Sequence, residues 1–130
     1  MVIIKRDKLD KLALPGRIIE KAIGSDGFSN SGKMTIGYAT YSAEVGKMEP
    51  HRHAEETIFV LKSDRGVLRY GPGKSNLPNK IKLEAEMMLH IPEMEWHVFE
   101  YDEGGMVDVV YIYGQVSNIR PEEITRKQGV

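Results

Sequence analysis

The sequence contains no cysteine, which removes disulfide bridges, thiolate metal sites and a thiol nucleophile together. Any metal ion held by this chain must take nitrogen and oxygen ligands. No run of residues approaches the eighteen or so apolar positions needed to span a bilayer. The first residues, Met1-Val2-Ile3-Ile4-Lys5-Arg6-Asp7, lack the central apolar stretch of a signal peptide. A cytoplasmic protein with no membrane partner is expected. Charge of one sign is also scarce, since a formal net charge of -1 sets up no long-range field to gather nucleic acid. No nucleic-acid partner is expected. Internal repeats and low-complexity segments are missing as well.

What is present describes a globular chain. Its 130 residues, 41% hydrophobic and 28% charged, suit one domain spanning 1–130, able to bury a core and too short to divide.

Turn chemistry divides the chain into strands. Residues 7–14 read as a short helix or an extended arm ended by Pro15-Gly16, and 17–23 as a strand. The glycines and small polar residues of 24–32 read as a loop. Residues 34–43, with Thr35, Ile36, Tyr38, Thr40 and Tyr41, favour a strand. Residues 56–62 are apolar on both faces of a period of two, with Ile58 and Val60 on one side and Phe59 and Leu61 on the other. Such a strand is covered on both sides, and a second subunit is one way to supply the second cover, so a homodimer is expected. Asp64-Arg65-Gly66 reads as a hairpin turn into 67–70. Strands are expected again at 81–83, 86–91, 96–101 and 107–113, with a turn at 102–105. Residues 120–124, led by a proline and carrying acids in the first turn, read as the start of a short helix. Many short strands at near-regular spacing indicate an all-β sandwich or barrel.

The most informative stretch is Pro50-His51-Arg52-His53-Ala54-Glu55-Glu56, which holds two of the four histidines. In an extended strand, residues at i and i+2 leave the same face roughly 7 Å apart, so the two imidazoles can converge. A carboxylate two or three residues on, Glu55 or Glu56, can complete one face of a two-histidine, one-carboxylate metal site. Chance surface placement of His-x-His and Glu-Glu is the competing reading. A second stretch, Leu89-His90-Ile91-Pro92-Glu93-Met94-Glu95-Trp96-His97, places a third histidine beyond a proline-led turn at the entry of a strand. From there a side chain can point back across a small barrel.

These two stretches resemble the paired motifs of the cupin superfamily. The first motif runs glycine, five residues, His-x-His, three or four residues, glutamate, six residues, glycine. Gly46, His51, His53 and Glu56 follow it with slightly shorter spacings. The second runs glycine, five residues, proline, x, glycine, two residues, histidine, three residues, asparagine, and Pro92 and His97 match at the right spacing. Ser63, Glu86, Met94 and Tyr101 stand where the family has glycine, glycine, glycine and asparagine. The resemblance covers about residues 34–114. It implies a double-stranded β-helix, or jelly-roll, barrel with a divalent transition metal (Mn, Fe, Ni, Zn or Cu) held by His51, His53, Glu56 and His97. Because Glu56 lies one residue closer to His53 than the pattern allows, Glu55 competes for the carboxylate role.

Four protein ligands of this kind leave one or two coordination positions open, which makes such a site chemical. His90, two residues before Pro92, is a candidate acid–base group, against the alternative of a core or interface histidine. Tyr101 shares the face of His97 by alternation, is the aromatic expected nearest the metal, and is a second candidate acid–base group. The other strand aromatics, Tyr111 and Tyr113 among them, are expected in the core, and Arg69 suits either an anionic substrate or an exposed sheet position.

Three functions are compatible with these features. One is a metal-dependent isomerase, lyase or dioxygenase acting on a small oxygen-rich molecule such as a carbohydrate or keto acid. The second is a non-catalytic barrel that binds or senses a small molecule. The third is a storage or structural barrel stabilised by its metal.

Overall fold

The computed structural model describes residues 1–114, so the helix expected at 120–124 lies outside the described residues. The elements are β1 (Leu12–Leu14), β2 (Arg17–Gly24), β3 (Ser29–Asn30), β4 (Thr35–Ser42), β5 (Glu56–Gly71), β6 (Asn79–Lys82), β7 (Met88–Ile91) and β8 (Trp96–Tyr113), with single 3-10 turns at Arg6–Lys8 and Ala43–Val45. The strands pair in the order β1-β2-β4-β8-β5-β6, with β7 also on β5 and the short β3 on β2. All pairings are antiparallel except that of β3. The architecture is all-β, as expected.

The turn expected at Asp64-Arg65-Gly66 corrects to a bend within one strand. Both halves of β5 pair with β8, Glu56 to Asp64 against Tyr113 to Met106, and Gly66 to Gly71 against Tyr101 to Trp96. Between these registers Arg65, at φ 57°, lies opposite the stretch 102–105. A bulge of this kind bends and twists both strands without reversing either. The break expected at 102–105 is the same bend seen from β8. The two long strands thus stay paired along both halves of their length, on either side of the bend.

Alternation decides what lies inside. On β4 the buried residues are Thr35, Gly37, Ala39 and Tyr41; in the first half of β5 they are Glu56, Ile58 and Val60; in the second half of β8, after the bend, they are Val107, Val109 and Tyr111. Ile58, Val60, Val107 and Val109 exclude water completely, and burial of such a side chain contributes about 1.5–3 kcal/mol. Gly37 belongs to this set by necessity, because a Cβ there would stand 2.3 Å from the Tyr111 hydroxyl.

Among the described residues, the opposite face of β5 is left partly uncovered. Phe59 is half-buried, Leu61 is exposed, and Met88, paired with Phe59 on β7, is 69% exposed. Further along the outer surface Arg6 straps the amino-terminal segment to the sheet. Its guanidinium donates to Glu20 on β2 and to both carboxylate oxygens of Asp108 on β8, and lies 4.3 Å from the ring centre of Tyr38.

Candidate metal centre

The segment between Gly46 and β5 has no long strand of its own, yet its backbone is fixed at one point. His51 N–H donates to the His97 carbonyl at 3.0 Å and His97 N–H donates to the His51 carbonyl at 2.9 Å. This is the closed antiparallel pair, which sets the two residues directly opposite each other. The turn before β8 adds a second tie, from Met94 N–H to the His53 carbonyl at 2.8 Å. Met94 there has φ 65°, and Glu86 before β7 has φ 73°. Both occupy positions where the cupin pattern has glycine, so the left-handed turns persist with side chains that disfavour them.

These ties bring His51, His53 and His97 together. Their ring centres are 4.4 to 5.2 Å apart, and one nitrogen from each lies within 4.8 Å of the others, an arrangement that can hold a metal ion. The rings share one hydrogen-bonding pattern. Each Nδ1 faces a backbone carbonyl: His51 that of Glu49 at 3.2 Å, His53 that of Ala54 at 2.9 Å, and His97 that of Glu95 at 2.8 Å. A carbonyl can only accept, so in the neutral imidazoles Nδ1 carries the proton and Nε2 keeps its lone pair.

His97 Nε2 is buried without a hydrogen-bond partner, and the residue is 1% exposed. A buried polar atom left in this state is destabilising unless something occupies its lone pair. The group therefore fits a divalent ion taken by nitrogen and oxygen donors. Burial lowers the pKa of His97 to about 4 and, with help from His97, Arg17 and His53, that of His51 well below its ordinary value. Neutral imidazole is the form a metal ion requires.

Alternation separates the two glutamates. Glu56, 5% exposed, points inward with Ile58 and Val60, and its Oε1 lies 3.6 Å from His53 Nε2. Glu55 falls on the other face, where its Oε2 meets His90 Nε2 at 2.6 Å with both side chains mostly in solvent. The structure thus gathers His51, His53, His97 and Glu56, and leaves Glu55 and His90 outside.

Two expectations about placement need correcting. His90 does not line the histidine cavity, because its register opposite Thr57 turns it to the outer face of β7. Tyr101 shares a strand face with His97, but four residues at about 3.3 Å each put its backbone about 13 Å away. Its hydroxyl donates to the Gly46 carbonyl at 3.2 Å, and it lines a separate cleft with Lys47, Arg65, Arg69 and Lys80.

Other residues take the places expected of these two. Tyr113 ends the inward row of β8, with its hydroxyl 3.4 Å from His53 Nε2. Arg17, at the start of β2, is 4% exposed and lines the histidine cavity together with Glu56, Tyr41, Tyr111 and Tyr113. Alternation from Ile19 was the sequence signal for Arg17. A strand-initial arginine ordinarily faces solvent.

No protein-family model matches the chain, and no curated protein matches it in sequence. Solved structures do match it in fold. The polyketide cyclase RemF from Streptomyces resistomycificus superposes with a TM-score of 0.73 at 16% identity, covering 98% of this chain and 93% of that one. Hydroxypropylphosphonic acid epoxidase from S. wedmorenis gives 0.63 at 13% identity over 86% of this chain, and Fe(II)-HppE with an alternative substrate gives 0.64 at 13% over the same share. This chain spans 58% and 59% of the length of those two. With these matches, and with two long antiparallel strands paired along both halves beside an inward histidine cluster, the chain has the fold of the cupin barrels.

Proposed function

We propose that this protein is a metal-dependent enzyme acting on a small oxygen-rich molecule by isomerase, lyase or dioxygenase chemistry. His51, His53 and His97 hold a divalent transition metal through their Nε2 atoms, and Glu56 is the carboxylate ligand. The observation that carries this reading is the buried His97 Nε2 without a partner, facing the two other imidazoles of the cluster. When bound, the ion supplies a Lewis acid for a substrate oxygen, or a redox centre if it is iron, copper or nickel. The chain's own residues orient and enclose. The three Nδ1–carbonyl hydrogen bonds fix the ring planes, and the Tyr113 hydroxyl beside His53 can hold or pass a proton at the cavity wall. That a polyketide cyclase, an epoxidase and Fe(II)-HppE share the fold supports an enzyme over a storage barrel.

We also infer a homodimer that covers the outer row of Phe59, Leu61 and Met88, which the described residues leave partly or largely exposed.

The deciding experiment is elemental analysis of protein purified without an affinity tag or chelator, on wild type and His97→Ala together. A near-stoichiometric transition metal present in the first and lost in the second is expected. No metal in either, with no uptake on addition, would replace this reading with a metal-free small-molecule binding barrel.

A further inference from the structure

Tyr113 engages the lone pair that a metal ion would take from His53. The Nδ1 of His53 faces the Ala54 carbonyl and carries the proton, so Nε2 accepts, and the Tyr113 hydroxyl donates to it at 3.4 Å. Register puts the phenol there. Tyr113 lies directly opposite Glu56 where β5 pairs with β8, so both side chains leave the same face, and Glu56 Oε1 is 3.6 Å from the same nitrogen. Donors that share one ion at about 2.0–2.2 Å stand about 3–3.5 Å from one another around it. The phenol oxygen meets that spacing at least as well as the carboxylate does.

The space enclosed at the histidines is about 10 Å³, room for a single water-sized sphere. An ion seated there fills it. A water cannot then stand between the ion and the wall, so coordination beyond the three imidazoles falls to oxygens of the wall itself. Three tyrosines line the cavity, Tyr41, Tyr111 and Tyr113. The Tyr111 hydroxyl lies over Gly37, whereas that of Tyr113 meets the imidazole cluster.

Building on the metal-centre reading, we propose that Tyr113 is a fifth protein ligand, bound to the ion through its phenolate oxygen. The ion takes the His53 lone pair, the Tyr113 O–H bond breaks, and its oxygen bonds to the ion while the proton leaves to solvent. Tyr113 and Glu56 also line an open cleft on the outer side, beside Thr57 and His90, which gives that proton a way out. Five protein donors leave one position open on a six-coordinate ion, where four leave two.

The test uses the full-length protein loaded with Cu(II) and read by visible absorption. A phenolate bound to Cu(II) gives an intense charge-transfer band in the visible that imidazole, carboxylate and water ligands do not give. Wild type is expected to show this band. Tyr113→Phe should lose it while still taking up copper, with affinity weakened about tenfold or more. Tyr41→Phe and Tyr111→Phe, which change the other two tyrosines of the cavity, should keep it. A copper-loaded wild type without the band overturns the proposal and reduces Tyr113 to a hydrogen-bond partner of His53, as does a band that survives Tyr113→Phe. If Tyr113→Phe fails to fold, the other two variants decide: a band kept in both assigns it to Tyr113, and a band lost in either overturns the assignment. Failure of wild type to take up Cu(II) defeats the metal-centre reading itself, an outcome distinct from copper uptake without the band.

Discussion

His51 and His97 exchange both of their backbone hydrogen bonds, at 3.0 and 2.9 Å, and this bridge, together with the bond from Met94 N–H to the His53 carbonyl, joins the two motif-bearing segments at the histidine cluster. Because these bonds are made by the main chain, they survive loss of either imidazole. The double variant His51→Ala, His53→Ala is therefore expected to lose all retained metal while keeping a β-rich circular dichroism spectrum. Strand alternation, rather than the ion, specifies the barrel. Full metal content in that variant would end the assignment of these ligands.

Glu55 and Glu56 should respond differently to the same change. Glu56→Gln removes the inward carboxylate and is expected to weaken zinc binding by about tenfold or more, the low end of what disturbing a metal's surroundings costs. Glu55→Gln only alters an exposed contact with His90 and should leave zinc affinity unchanged, as should His90→Ala. Competition titration against a chromophoric chelator measures all three. Equal small effects from the two glutamine variants would mean that three histidines and water form the site.

Metal-stripped protein should lose stability in a defined pH window. The folded pKa of His97 is lowered by burial from 6.5 to about 4, so the unfolded chain binds the proton more readily. Its neutral form therefore stabilises the fold fully above about pH 6.5, and that contribution is lost as pH falls toward 4. The loss is on the order of 3 kcal/mol. Thermal melts of chelator-treated protein should show a Tm that is flat above neutrality and falls steadily across this range, less steeply in His97→Asn. A wild-type Tm unchanged from pH 7 to pH 4 would contradict the buried neutral imidazole.

Met94 carries a side chain in a glycine conformation, at φ 65°, and is 47% exposed, so little packing is lost by removing it. Met94→Gly relieves about 1–2 kcal/mol of left-handed strain and gives back part of it as chain entropy in the unfolded state. A net gain of about 0.5–1 kcal/mol follows, a rise in Tm of a few degrees for a chain of this size. A fall in Tm would show that the thioether makes a contact worth more than the strain.

Leu61 and Met88 test the subunit interface. Either residue changed to Glu is expected to convert a dimer at micromolar concentration into a folded monomer by sedimentation equilibrium. A wild-type monomer under the same conditions removes the interface.

Much of the barrel was readable because strand periodicity is a local property. β2, β4 and the strands around β7 lie within a few residues of where turn residues and β-branched runs placed them. The bend at Asp64-Arg65-Gly66 was not readable, since the same three residues serve a hairpin turn or a bulge. Which one forms depends on whether β5 finds its partner in itself or in β8. Which of Glu55 and Glu56 points inward was not readable either. Either could share a face with apolar residues, Phe59 and Leu61 or Ile58 and Val60, and only the packing decided which face became the interior.

The sequence by itself determined the chemistry available: nitrogen and oxygen ligands in the absence of thiols, a His-x-His pair on one face of an extended segment, and a third histidine after a proline turn. Those follow from residue type and from spacing within a few positions. The tertiary structure alone decided which groups meet. Arg17 and Tyr113 reach the histidines, while Tyr101 and His90 do not, because those distances depend on strands from opposite ends of the chain pairing across one barrel. Contacts made through long-range register leave no trace in local periodicity.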